Sequence, residues 1–414
     1  MRILVSAYAC SPYQGSEASV GWGFISELSK FHELVVFVEE EKFRKDIEKY
    51  LNQNKAELRS VKFIFVRKKR NRFLRKLWPP SYYRYYKKWH KDVYKIAKKL
   101  QSQSNFDIAH QLTMVGFREP GYLWKLNIPF VWGPVGGMGY FPYRFIAKLG
   151  LKGFIYYLAY NFFNFYQMNF LRRPKLAAKK AGIGLIAATS ENKRYLKSKM
   201  SCNSTVITEV GCPEYTYATS NNENNNKPFR IVWSGKHLPR KALHIGIHSL
   251  SMMPKNINWE LHILGNGELF DQWKRYAKSM GIIKSCVFHG SIEREKALNV
   301  MQNADIALIT SLRELTSTVT VESLSLGLPV VCLDHCGFSD VIDETCGIKV
   351  PVTNFSKVTN DLSNALYKLS TDKELLKKLS EGALKQASSF TWAKKVNILN
   401  QIYCDKLNDI SDQH

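Results

Sequence analysis

The chain has 414 residues, 45% of them hydrophobic and 23% charged, which excludes a disordered protein and is too long for one ordinary core. Its net charge of +25 is unevenly placed: residues 1–213 hold 37 Lys and Arg against 14 Asp and Glu, and the remainder holds 23 against 21. Only the first half is therefore suited to a polyanion or an anionic membrane surface.

Taken in chain order, residues 3–7, 34–38, 61–66, 108–110, 129–132 and 184–188 read as apolar strands separated by helical stretches. That alternation predicts an α/β fold with parallel strands. The opening run Ile3-Leu4-Val5 is too short for a secretory signal. Between the first strand and first helix lies a glycine-bearing loop, Gly15-Ser16-Glu17, followed by Gly21-Trp22-Gly23. Arg118 and the loop from Trp132 to Gly137 follow strand ends.

Residues 67–99 carry 14 Lys and Arg, one acid (Asp92) and eight aromatic residues, among them Trp78, Tyr82, Tyr86 and Trp89. From Pro120 to Ser190 there is no acidic residue, and residues 154–166 are crowded with Phe and Tyr. Asn161 and Asn164 interrupt that stretch, which is too short to span a bilayer. Basic and aromatic residues at 67–99 and 140–180 fit an anionic membrane surface. A solvated basic face over a buried aromatic helix is the competing reading. Such patches also bind single strands, but no nucleic-acid motif accompanies this one, so no nucleic-acid partner is expected.

The Asn-rich run at 216–227 reads as a linker between residues 1–215 and residues 228–387. After it the strand pattern restarts, at 229–234, 259–264, 287–289, 306–310, 329–333 and 347–350. Two Rossmann-like domains facing across a cleft are expected, with ligands at the carboxyl ends of the strands.

Four strand ends in the second half carry candidate chemistry. Gly235-Lys236 leads through Arg240 and Lys241 into a helix start, a place for a diphosphate. Gly265 and Gly267 follow the next strand, and His289-Gly290 the one after. The last is Glu314-Leu-Thr316-Ser317-Thr318-Val319, with Glu322 inside the helix that follows. Hydroxyls and unpaired amides there sit at the positive end of a helix dipole. Each piece alone also suits an ordinary turn or helix start.

In this order the pieces resemble the family-4 glycosyltransferases of the GT-B fold, which have a glutamate pair eight positions apart followed by G-x-P-V. Here the pattern reads Glu314 to Glu322, then Gly327-Leu328-Pro329-Val330. The resemblance implies a retaining, metal-independent hexosyltransferase that uses a nucleotide-diphosphate sugar and needs no cofactor. It implies Lys236 and Lys241 as diphosphate clamp, with Arg240 sharing that role, and Glu322 on the ribose. Glu314 would meet the donor sugar, and Thr316, Ser317, Thr318 and Val319 would line it. Gly15 and Ser16 would close on the donor, and His110 would orient its sugar; a structural histidine is the alternative there. Lys236 stands where the family has arginine, and Ser317 where it has glycine. A lipid-linked or glycan acceptor and surface-polysaccharide synthesis follow from the same resemblance; a peripheral place on the inner face of the cytoplasmic membrane is expected from the basic, aromatic segments and the short opening run. A segment at 388–414 resembles the family's closing helix, which packs back on the first domain. An epimerase of the same fold, or a non-enzymatic membrane- or nucleic-acid-binding scaffold, are the rivals.

The eight cysteines contain no CxxC pair, and no D-x-D triplet occurs, so free thiols and no metal site are expected.

Overall fold

The computed structural model describes residues 1–54, 56–69, 73, 81–212 and 227–411. The chain divides into two compact units, one of residues 1–138, 166–211 and 392–414, the other of residues 139–165 and 212–391.

In the first unit seven strands form one sheet: β1 Arg2–Ala7, β2 Glu33–Glu39, β3 Val61–Val66, β4 Ile108–Thr113, β5 Phe130–Val135, β6 Leu185–Ala187 and β7 Thr205–Val206. Their order is β3-β2-β1-β4-β5-β6-β7, every neighbour parallel. Helices covering both faces explain why β4 and β5 are buried along their whole length. The strand order reverses between β1 and β4, the usual ligand crevice of such sheets.

The helix Trp392–Ser411 closes this unit. Trp392 lies against the helix Glu17–Leu28, where a Cβ on Gly23 would collide with the indole ring. Gly21 touches the backbone of Ala9 just as closely. Both glycines therefore serve packing. Further along the helix, His32 Nε2 meets Asn400 Oδ1 at 2.8 Å, and Lys395 Nζ donates to the Thr208 carbonyl at 3.0 Å.

Six further strands make the second sheet: β8 Phe229–Ser234, β9 Trp259–Leu264, β10 Cys286–Gly290, β11 Ile306–Ile309, β12 Val330–Asp334 and β13 Gly347–Pro351. The order is β10-β9-β8-β11-β12-β13, again parallel throughout. Residues 139–165, expected in the N-terminal domain, belong here instead. Phe141, Phe145, Ile146 and Tyr157 are buried in the same cluster as Trp233, Leu261 and Trp273. The polar linker expected at 216–227 lies outside the described residues, except for Lys227.

Candidate functional site

The best-formed constellation is built within the second unit, where the loops after β8 and β11 are stapled together. Trp233 Nε1 donates to Thr310 Oγ1 at 3.0 Å, and that hydroxyl donates to the Lys241 carbonyl at 2.8 Å. The Leu312 amide donates to the Arg240 carbonyl at 2.8 Å. These bonds fix the backbone of Arg240 and Lys241 beside Glu314.

Lys241 is only 8% exposed, and its Nζ lies 2.6 Å from Glu314 Oε2. The Arg240 guanidinium bonds the same oxygen and also donates to the Arg313 carbonyl at 3.3 Å. Burial pushes the Glu314 carboxyl pKa up, but the charges and hydrogen bonds of Lys241 and Arg240 outweigh that and hold it below the ordinary value. Glu314 is therefore ionised at neutral pH. The lysine stem runs beside Gly235, where an added Cβ would make only ordinary contact with Lys241 Cδ and Cε at 3.5 Å.

Beyond Glu314 the chain turns sharply into the helix Thr318–Ser325. Its N-cap, Ser317, has φ 72° and ψ 131° and makes no side-chain cap. Few L residues adopt that conformation, and glycine does so freely. Gly337 packs on this turn, its amide donating to the Leu315 carbonyl at 3.1 Å, where a Cβ would press on Thr316. Sulfur from the neighbouring Cys336 accepts the Glu314 amide at 3.2 Å. The first-turn amides of the helix point out of its N-terminus.

Other expected residues are placed as follows. Glu322 pairs with Arg294 at 2.7 Å, a largely exposed partner that the sequence did not single out. Lys236 is exposed at the end of β8. Gly265, at φ 107°, and Gly267 are required by close packing against Gly235 and His237, which is a reason independent of any ligand. Gly290, at φ 68°, accepts the Gly265 amide at 2.8 Å. His289 Nε2 meets His262 Nδ1 at 3.0 Å, and His262 Nε2 lies 3.3 Å from Glu260, so this imidazole is engaged along the sheet.

In the first unit Gly15 and Ser16 are exposed. Ser16, like Ser317, is a positive-φ N-cap, at φ 59°. Arg118 bonds Gln167 and donates to the Gly137 carbonyl at 3.3 Å. The expected catalytic place of His110 is corrected by the structure. The residue is fully buried, Nε2 is 2.8 Å from the Gly133 carbonyl, and Nδ1 is 2.7 Å from the Tyr403 hydroxyl. Burial lowers its pKa to about 4. Both nitrogens are taken by the protein, and His110 ties β4 to the last helix.

The 67–99 segment divides its aromatic residues between core and surface. In its described portion Tyr86 and Trp89 face the core, and Trp89 Nε1 donates to the Val66 carbonyl at 2.8 Å. Arg84, Lys87, Lys88 and Lys91 are exposed, and of the aromatic residues on their helix only Tyr83, at 54%, is exposed beside them. Trp78 lies outside the described residues.

Two parallel-sheet Rossmann-like units with six and seven strands are the GT-B fold. Residues 218–386 match the family described as glycosyl transferases group 1. A D-inositol 3-phosphate glycosyltransferase of Saccharomonospora viridis is 31% identical over 107 residues, 26% of this chain and 24% of that protein. The chain thus matches about a quarter of that curated relative's length, and 34% of the Corynebacterium aurimucosum enzyme of the same name. Among solved structures, the lipopolysaccharide outer core galactosyltransferase WaaB has a TM-score of 0.64 at 15% identity, with 98% of this chain and 100% of that chain covered. Anabaena HepE in complex with UDP has a TM-score of 0.62 at 14% identity, with 99% of each covered.

Proposed function

We propose that the protein is a glycosyltransferase that moves a hexose-type sugar, with retention, from a nucleotide-diphosphate sugar to a lipid-linked saccharide or other glycan in surface-polysaccharide synthesis. The observation that carries this is the convergence of Lys241 and Arg240 on the buried Glu314 carboxylate, beside the N-terminus of Thr318–Ser325. Two cations against one carboxylate leave a positive excess, and the helix dipole adds to it. A diphosphate answers that charge, and Glu314, ionised, is an acceptor for sugar hydroxyls. The group 1 match over the same residues and the UDP held by HepE support a nucleotide-sugar donor.

In the reaction the bond between the anomeric carbon and the diphosphate oxygen breaks, and its electron pair stays on the diphosphate. The acceptor hydroxyl oxygen bonds the anomeric carbon, and its proton passes to the departing diphosphate. Charge grows on the phosphate as the sugar becomes oxocarbenium-like, so fixed cations near it stabilise the transition state more than the ground state. In this reading Lys236, Arg240 and Lys241 supply the charge that a metal supplies elsewhere, and no cofactor takes part. Glu322 would exchange Arg294 for the ribose hydroxyls. Thr316, Ser317, Thr318 and Val319 would line the sugar side, and Gly15 and Ser16 are the donor-binding candidates of the first unit. The reaction belongs on the cytoplasmic face of the membrane, where lipid-linked acceptors and nucleotide sugars meet. Among the described residues no helix is long and apolar enough to cross a membrane.

The test is nucleotide release from a panel of UDP- and GDP-sugars by the full chain, with product analysis to separate transfer from epimerisation. Lys241→Ala should lower kcat/KM about a hundred-fold, the scale of losing one preorganised charge partner. Glu322→Ala should raise the donor KM about ten-fold, the scale of a hydrogen bond to a charged group. Unchanged turnover in both variants sinks the assignment.

A further inference from the structure

The helix Gly150–Phe170 is turned inside out. Its inward stripe is Tyr157, Asn161, Asn164 and Met168, spaced four, three and four residues apart. Two of those four are amides, and both are consumed by backbone. Asn161 accepts the Phe141 amide at 2.9 Å and donates to the Phe141 carbonyl at 2.8 Å, while Asn164 donates to the Gly139 carbonyl at 3.2 Å. The polar residues are thus the anchored side.

The remaining faces are apolar and exposed: Leu151 at 76%, Ile155 at 58%, Phe162 at 64%, Phe163 at 57%, Tyr166 at 51% and Phe170 at 63%. Twenty-one residues at 1.5 Å each make a ridge about 30 Å long. Soluble monomers rarely carry so large a contiguous apolar surface without a partner for it.

Charge says which partner. Exposed cations lie before the ridge and at its start, Arg144, Lys148 and Lys152, and beyond its end, Arg172, Lys179 and Lys180, and no acid occurs between Pro120 and Ser190. A protein partner that covers an aromatic ridge does not call for acid-free flanks, whereas an anionic bilayer does, with rings at the headgroup level and cations on the phosphates. We infer that Gly150–Phe170 lies flat in the bilayer surface and inserts its outward aromatic face among the lipids. The purpose of this contact, reaching a lipid-linked acceptor, rests on the function proposed above; the contact itself does not. The basic helix Ser81–Gln103, whose Tyr86 and Trp89 face inward, has no comparable face to insert.

The experiment is co-sedimentation of the full chain with phosphatidylcholine vesicles, with and without phosphatidylglycerol, at low and high salt. Binding should need phosphatidylglycerol to form and should persist in part at high salt, because insertion is not screened as adsorption is. The triple variant Phe162→Ser, Phe163→Ser, Phe170→Ser should partition about ten-fold less or weaker still, with the high-salt fraction gone. Its unfolding midpoint should match that of the parent, since these rings face outward. Should it not, the single variant Phe162→Trp gives the answer by itself: its added fluorescence should be quenched by brominated lipid.

The inference is overturned if the triple variant binds like the parent, if binding is wholly removed by salt, or if the added Trp is not quenched. It is overturned equally by a stable dimer that the triple substitution dissociates while vesicles bind neither form. Donor turnover without vesicle binding would leave the transferase and remove the ridge; vesicle binding without donor turnover would do the reverse.

Discussion

Ser317 shows how one backbone angle carries information that a residue type conceals. The resemblance marks it as a departure from glycine, and its φ of 72° shows what glycine does there: it lets the chain turn sharply into the helix Thr318–Ser325. Ser317→Gly should therefore raise stability, by about 1 kcal/mol, the strain relieved less the added freedom of the unfolded chain. Thermal unfolding measures it; a lower midpoint would mean the serine hydroxyl is doing something useful. The ion pairs were only partly legible. Lys241 and Glu314 stand out by motif, but Arg294 reaches Glu322 from another helix, and His262 reaches His289 from another strand. Spacing along the chain has no access to such partners.

His110 gives a pH dependence whose sign can be worked out. Its pKa falls from the ordinary 6.5 to about 4 on folding because burial disfavours the imidazolium. The unfolded chain therefore binds the proton more readily, so the contribution of His110 to stability is present above pH 6.5 and is lost as pH falls towards 4. The full loss is on the order of 3 kcal/mol. His110→Gln, which can still bond Gly133 and Tyr403, should flatten the fall in denaturation free energy between pH 7 and pH 4. An unaltered slope would place the proton uptake elsewhere.

At the scale of elements, the strands were the most legible part of the chain, because apolar runs bounded by turn residues survive without tertiary context. Helix partners were not. Gly21 and Gly23 suit a ligand loop as well as a helix interface until Trp392, far along the chain, is seen against Gly23. Gly23→Ala should loosen the helix Trp392–Ser411, costing about 2 kcal/mol or more as an overpacked contact does. Limited proteolysis near the C-terminus, faster in the variant than in the parent, is the check. The Asn residues of Gly150–Phe170 carried a signal whose direction was obscure. They interrupt an apolar stretch, but only the observed bonds to Gly139 and Phe141 show that they are its inward side.

For the whole molecule, composition and strand alternation were enough to expect two sheets, and strand order had to be seen. Hydrophobic pattern also cannot say which core a segment enters. Residues 139–165 precede the linker yet fill the second unit's interior with Phe141, Phe145 and Tyr157. A fragment of residues 228–391 alone should accordingly melt without cooperativity and bind apolar dyes, and adding residues 139–165 as a tethered segment should restore a sharp transition. A sharp transition in the bare fragment would show the segment to be dispensable. Candidate donor residues within this unit were legible because they sit at strand ends, where motifs are short and local.

The last helix also bears on the order in which a ribosome releases structure. Every residue of the second unit has been made before Trp392, whereas the first unit waits for Lys395 to meet Thr208 and for Tyr403 to meet His110. The part of the protein that is synthesised first is thus completed last. Until that helix has been made, Gly23 lacks the Trp392 ring and His110 lacks the Tyr403 hydroxyl.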